Sequence, residues 1–202
     1  MKKFILIKLA LFLLLSGIQL SQISLAETTP ESVVNRLHQS LIQAMQESKA
    51  LDYNGRYEVL EPVILESFDF ETIARIVMGR YWKKLDDQQK TEFIDIFSRL
   101  SIATYTAQFD SFSGESFEYL EDEEMKKGRV LVKTKLVTND RAVPFNYVLH
   151  PLKDRWRIIN VIVDGVSDLS LKRADYTTTM KAEGFDGLIS KLQEKLKFSS
   201  AN

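Results

Sequence analysis

The chain has 202 residues, 45% of them hydrophobic and 10% aromatic, with 27 basic and 28 acidic side chains, two histidines and no cysteine. The missing cysteine excludes disulfides, thiolate nucleophiles, thiolate zinc sites and a lipoprotein anchor, so the fold must be held by its core. The balanced charge lacks the basic excess on which binding to a phosphate backbone depends, and nucleic acid is excluded as a partner class.

Lys2 and Lys3 precede an apolar run from Ile5 to Leu20 that is interrupted by Lys8, Ser16, Gly17 and Gln19, and Ser24-Leu25-Ala26 offers a small-x-small cleavage site. This is the pattern of a secretory signal peptide over residues 1–26. The uninterrupted stretch after Lys8 is shorter than the roughly 20 residues a spanning helix needs. Cleavage removes three lysines and no acid, which leaves 24 basic against 28 acidic side chains and a net charge of −4. Residues 27–202 are enough for one domain with a substantial core.

Thr29-Pro30-Glu31 predicts a helix start, with a capping hydroxyl, proline at the first helical position and an acid in the first turn. Val34, Leu37, Leu41 and Ala44 or Met45 then recur at helical steps through about Lys49. Tyr53-Asn54-Gly55 reads as a break, and Val59 to Leu65, around Pro62, as a short helical piece. A compact helix follows Ser67, with Phe70, Ile73, Ile76 and Val77 on its apolar face and Gly79 as its terminator.

Asp86 with Gln89 three residues on predicts a capping box for the longest helix, whose stripe of Phe93, Phe97, Leu100 and Ala107 runs toward Phe109. Ile102, Tyr105 and Phe109 lie away from that stripe, so its second half needs apolar cover on more than one side.

After Gly114 the spacing changes to alternation. Val130, Val132, Thr134 and Leu136 face one way and Lys133 and Lys135 the other, and Val143, Phe145, Tyr147 and Leu149 alternate again after the turn signal at Thr138 to Arg141. The run IINVIV after Trp156 suits a central strand covered on both faces. A weaker strand is predicted around Ser116 to Leu120, and the acidic run Glu121 to Glu124 with Lys126-Lys127 reads as a solvated hairpin rather than a metal site. Helices return over Lys172 to Met180 and Phe185 to Leu196, with Gly184 and Gly187 at the join. The whole reads as an α+β fold, a sheet of about four to five strands flanked by helices.

The chemical inventory is thin. His38 and His150 read as surface histidines, Asp86-Asp87 is explained by capping, and the chain lacks the nucleophile-elbow, phosphate-loop and dinucleotide glycine motifs. No catalytic constellation and no cofactor or metal requirement emerges. Whether the apolar interior fills itself or encloses a cavity stays open, because a pocket wall and a packed core demand the same residue types.

Two stretches, FDFETIARIVMGRYWKKLDDQQKTEFIDIFSRLSIATYTAQFDSFSG and WRIINVIVDGVSDLSLKRADYTTTMKAEGFDGLISKL, resemble the MlaC or toluene-tolerance family. The marks are Phe70, Gly79, Trp82, Phe93, Phe97, Tyr105, Trp156, Gly165-Val166-Ser167, Gly184 and Asp186 to Ile189. Their order and spacing carry the resemblance. Asn160 and Asp168 depart from it, standing where an acid and an apolar residue are usual.

The resemblance implies a twisted antiparallel sheet with helices packed over it, in an arrangement like that of nuclear transport factor, enclosing an apolar cavity. It also implies a periplasmic carrier that binds phospholipid rather than converting it. Its expected partners are an outer-membrane lipoprotein complex and an inner-membrane ABC transporter complex of the Mla type. On this resemblance the cavity wall is expected from Ile73, Val77, Phe97 and Tyr105 on the helices and Val132, Leu136, Phe145, Tyr147, Val161, Val163 and Val166 on the sheet side. The string GVSDLSLKRADY is also similar to HpnM, which makes a hopanoid the alternative cargo. A ligand-free envelope interaction module is the alternative of another class.

Overall fold

The computed structural model describes residues 29–199; the expected signal peptide, residues 1–26, lies outside them. Four helices come first: α1 (Pro30–Gln46), α2 (Tyr53–Ser67), α3 (Phe70–Met78) and α4 (Asp87–Gln108). A five-stranded antiparallel sheet follows in the order β1 (Ser116–Met125), β2 (Arg129–Val137), β3 (Ala142–Leu152), β4 (Arg155–Val163) and β5 (Val166–Ser167). The last element is α5 (Asp168–Ser199). Among the described residues no helix is long and apolar enough to cross a membrane.

The caps read from the sequence are present. Thr29 accepts from the Ser32 amide, and the Asp86 carboxylate and Gln89 amide close the capping box at the start of α4. Tyr53-Asn54-Gly55, expected to break the helix, instead forms the first turn of α2, because Asp52 caps it by accepting from the Gly55 amide at 2.9 Å. Pro62 does not end α2: burial of Leu60, Val63 and Ile64 offsets the one backbone hydrogen bond that proline forfeits.

The sheet is a simple meander, and two local features set the site. First, β4 carries a bulge: Leu149 pairs with Ile158 and Val148 with Asn160, so Ile159 has no partner on β3. The extra residue explains why the IINVIV run does not alternate. The strand expected to be central and covered on both faces lies between β3 and the two-residue β5, and its burial is mixed: Ile158, Ile159 and Val161 are buried, whereas Asn160, Ile162 and Val163 are half-buried. Second, Asp164 and Gly165 both have positive φ, 51° and 78°, the geometry of a tight hairpin turn that pairs Val163 with Val166. This turn brings α5 back against β4 from Asp168, a turn earlier than its sequence pattern indicated.

The acidic run Glu121 to Glu124 lies within β1, and the turn is Lys126–Gly128. Lys133 on β2 bridges Glu121 at 2.9 Å and Glu123 at 2.7 Å, and Lys135 meets Glu118 at 2.8 Å. The density of charge on this outer strand discourages pairing with another chain's edge. Gly184, at φ 73°, divides α5 into two helical halves.

Neither histidine is a surface residue, which corrects the reading made from the sequence. His38 is 5% exposed, stacks on Phe117 at 3.8 Å and shares a 2.9 Å hydrogen bond with the Tyr147 hydroxyl. Burial lowers its pKa to about 3. The unfolded chain, with an ordinary value near 6.5, therefore binds a proton that the folded chain refuses. Stability from this residue is fully present above pH 6.5 and is lost as pH falls toward 3. Chemical denaturation between pH 7 and 4 is expected to show falling stability, with a shallower slope in His38→Gln; equal slopes would contradict this role.

Candidate functional site

The helical layer does not meet the sheet evenly. α1, α2, α3 and α5 approach the strands directly, whereas α4 packs mainly on α2, α3 and α5. Long aromatic side chains span the remaining distance. Phe68 contacts Phe70 and Tyr105, Phe70 contacts Phe97, Tyr105 contacts Phe109, and Phe109 reaches Phe117, which meets Phe145 edge-on, all at centroid distances of 5.7–6.2 Å. Rings bridging a gap leave space between them, and here that space is a cleft of about 170 Å³.

Each wall of the cleft is held by an identifiable anchor. The corner between α2 and α3 is fastened to the sheet: Arg157 donates to the Leu65 and Glu66 carbonyls, Phe68 bridges to Ile158, and the Asp69 amide donates to the Ile158 carbonyl at 3.0 Å. Asp69 also caps α3 through the Thr72 amide and meets His150 Nε2 at 2.8 Å. Burial opposes its charge, but hydrogen bonds from Thr72 and His150 outweigh this and hold its carboxyl below the ordinary range. These contacts place Phe68, Phe70 and Ile73 along one side. The bulge in β4 re-phases the strand so that Ile159, Val161 and Val163 form the floor with Phe145.

Polar groups in the wall are mostly turned away from the space. The Ser101 and Thr104 hydroxyls donate to the Phe97 and Leu100 carbonyls of their own helix, at 2.9 and 2.8 Å, so the cleft meets their carbon atoms. Burial, and then the nearby Asp168 carboxylate, raise the pKa of Tyr105, which keeps it a neutral phenol. Asn160 accepts from Ser167 Oγ at 3.1 Å and the Leu169 amide at 3.2 Å, which fixes the start of α5 against β4. The charged residues of the lining are Asp168 and Lys172, paired with each other. Gln108 and Asp168 are exposed and Ile64, Phe97 and Ile159 buried, so the cleft runs from a polar mouth to an apolar end.

Of the residues expected from the sequence, Ile73, Phe97, Tyr105, Phe145, Val161 and Val163 line this cleft. Val77, Val132 and Tyr147 lie outside its lining and are buried in the packed core, Leu136 is half-buried beside it, and Val166 is 51% exposed on β5. Sequence reasoning missed Phe68, Asn160, Asp168 and Lys172. The signal for the last two was Asp164-Gly165, a tight-hairpin dipeptide that returns the chain beside Asn160. This arrangement offers a shielded apolar slot and no paired nucleophile and base along its wall.

Comparison with known proteins gives consistent matches. The family described as "MlaC protein" matches residues 35–194. The chain is 21% identical over 188 residues to the intermembrane phospholipid transport system binding protein MlaC of Haemophilus influenzae, covering 89% of this chain and 88% of that one. It is 24% identical over 169 residues to the toluene tolerance protein ttg2D of Pseudomonas putida, covering 81% and 79%. A phospholipid-binding protein from Ralstonia solanacearum, solved in complex with a phospholipid, shares the fold with a TM-score of 0.73 at 17% identity, over 84% of this chain and 96% of that one.

Because the Thr104 hydroxyl is satisfied within α4, Thr104→Val is expected to change stability by less than about 1 kcal/mol and to leave uptake of an apolar ligand undiminished. Thermal unfolding and a ligand-loading assay check both, and a marked loss of uptake would mean that the hydroxyl faces the ligand.

Proposed function

The chain belongs to the MlaC family, and from that membership we propose that it is a periplasmic carrier that holds the acyl chains of a phospholipid in the cleft between α4 and the sheet. The observation that carries this reading is the cleft's inner wall: phenyl, isoleucine and valine surfaces with hydroxyls turned into their own helix. Its physical logic is transfer free energy. An acyl methylene exposed to water costs about 0.8 kcal/mol, so a lipid with two ordinary chains faces a barrier on the order of 25 kcal/mol to free diffusion across an aqueous gap. An apolar sleeve removes that barrier without any covalent step, and the headgroup stays hydrated at the mouth. In this reading the protein binds and releases lipid and converts nothing.

The cleft's 170 Å³ is below the roughly 300–1,000 Å³ typical of pockets for sizeable ligands. Loading therefore widens it. The yielding wall in this proposal is α4, whose link to the sheet is made by side-chain rings and whose backbone packs on other helices. Ile73, Phe97, Tyr105, Phe145, Val161 and Val163 contact the acyl chains, while Val77, Val132, Leu136 and Tyr147 form the packed layer behind them and Val166 stays outside. Residues 1–26 act as a cleaved signal peptide. The partners are an outer-membrane lipoprotein complex and an inner-membrane ABC transporter complex of the Mla type, consistent with the relative named for intermembrane phospholipid transport.

Native mass spectrometry of protein purified from its own envelope, with lipid extraction after denaturation, is expected to show phospholipid bound in stoichiometric amount. Val163→Trp, which fills the floor of the cleft, is expected to lower the bound lipid several-fold while leaving circular dichroism unchanged. Empty protein that takes up no lipid from vesicles would contradict the carrier, and a polycyclic lipid in place of phospholipid would redirect the cargo.

A further inference from the structure

The mouth of the cleft carries charge in one form only: Asp168 in the first turn of α5 and Lys172 one turn on, in contact through Asp168 Oδ1 and Lys172 Nζ. Both are accessible to a ligand, with side-chain exposures of 51% and 27%. Their position is set by the frame beneath them, because Asn160 holds the Leu169 amide at 3.2 Å and Ser167 Oγ caps the Ser170 amide at 3.2 Å. Just beyond, in the adjoining groove to which Lys172 also contributes, Asp175 pairs with Lys195 at 3.1 Å. The charged side chains around the mouth thus form two neutral couples.

We propose that the Asp168–Lys172 pair is a headgroup-reading site that selects zwitterionic, amine-bearing phospholipids over anionic ones; this rests on the lipid-carrier reading above. The argument is an exchange of partners. A headgroup with a phosphodiester and an ammonium a short distance apart can open the pair and satisfy both halves, phosphate on Lys172 and ammonium on Asp168, each through a charge-assisted hydrogen bond. A headgroup with a phosphodiester and only hydroxyls takes Lys172 but leaves the Asp168 carboxylate unpaired beside a like charge. Tyr105, Ser101 and Thr104 add no competing charge. A mouth built to attract anionic lipid would instead present an unneutralised cation.

The test uses the delipidated mature protein and vesicles containing equal amounts of phosphatidylethanolamine and phosphatidylglycerol with matched acyl chains; the headgroups of bound lipid are counted by mass spectrometry. The wild type is expected to carry the amine-bearing lipid in about five-fold excess, equivalent to about 1 kcal/mol. Asp168→Asn leaves an unneutralised lysine and is expected to erase or invert that preference. Lys172→Gln is expected to lower total uptake and keep or sharpen the preference. The opposite signs separate headgroup reading from a merely structural role, and Val163→Trp is the control, expected to lower total uptake with the ratio unchanged. Bound lipid of the same composition as the vesicles, or an unchanged ratio in Asp168→Asn, would overturn the inference while leaving the carrier reading intact. A wild type that takes up no lipid would overturn both.

Discussion

The constraint on which this structure turns is the separation of α4 from the sheet. Helices that touch the strands directly fill the space beneath them, and α1 does so with Val34, Leu37, Leu41 and Ala44, all without exposed surface. α4 rests on its neighbouring helices instead, so its sheet-facing side must be covered from a distance. Rings do this, because an aromatic side chain combines reach with few rotatable bonds. The result is a core that is close-packed at one end and open along the rings at the other. A packed core resists deformation, so the ring-spanned end is where a ligand can enter at the smallest loss of native contacts.

The polar chemistry of the protein serves that geometry. Arg157, Asp69 and His150 form a set of contacts between the α2–α3 corner and strands β3 and β4, and they determine where Phe68 and Phe70 stand. Asn160 performs the corresponding task on the other side by gripping the first residues of α5. Thr134, fully buried, donates through its hydroxyl to the Phe145 carbonyl and through its backbone amide to Asn146 Oδ1, side-chain bonds that mend the ladder next to Pro144. Arg157, Asp69, His150 and Thr134 lie outside the cleft's lining, and Asn160, which belongs to it, has its side-chain oxygen engaged by Ser167 and Leu169, so the slot can be both apolar and well positioned.

Much of this was legible in the sequence, for identifiable reasons. Caps at Thr29 and Asp86 and the alternation in β2 and β3 are local signals, and the structure follows them. The start of α2 was misread because Tyr53-Asn54-Gly55 resembles a loop until Asp52 is recognised as its cap. The histidines were misplaced because burial by Phe117 and Tyr147, or pairing with Asp69, depends on residues far away in the chain. The cleft itself was only half readable. Phe97 and Phe93 sit on one stripe of α4 and are equally apolar, yet only Phe97 reaches the space, one turn further along the helix where it meets Phe70, a contact set by the tertiary packing.

The central claim, that acyl chains lie between α4 and the β4 floor, is tested most directly by isotope-filtered NMR on methyl-labelled protein loaded with unlabelled phospholipid. The account predicts cross-peaks from acyl protons to the methyl groups of Ile73, Ile159, Val161 and Val163, and none to Val34 or Leu41 in the packed end of the core. Lipid-loaded protein whose acyl chains contact the α1 methyls, or touch none of the four cleft residues, would contradict it.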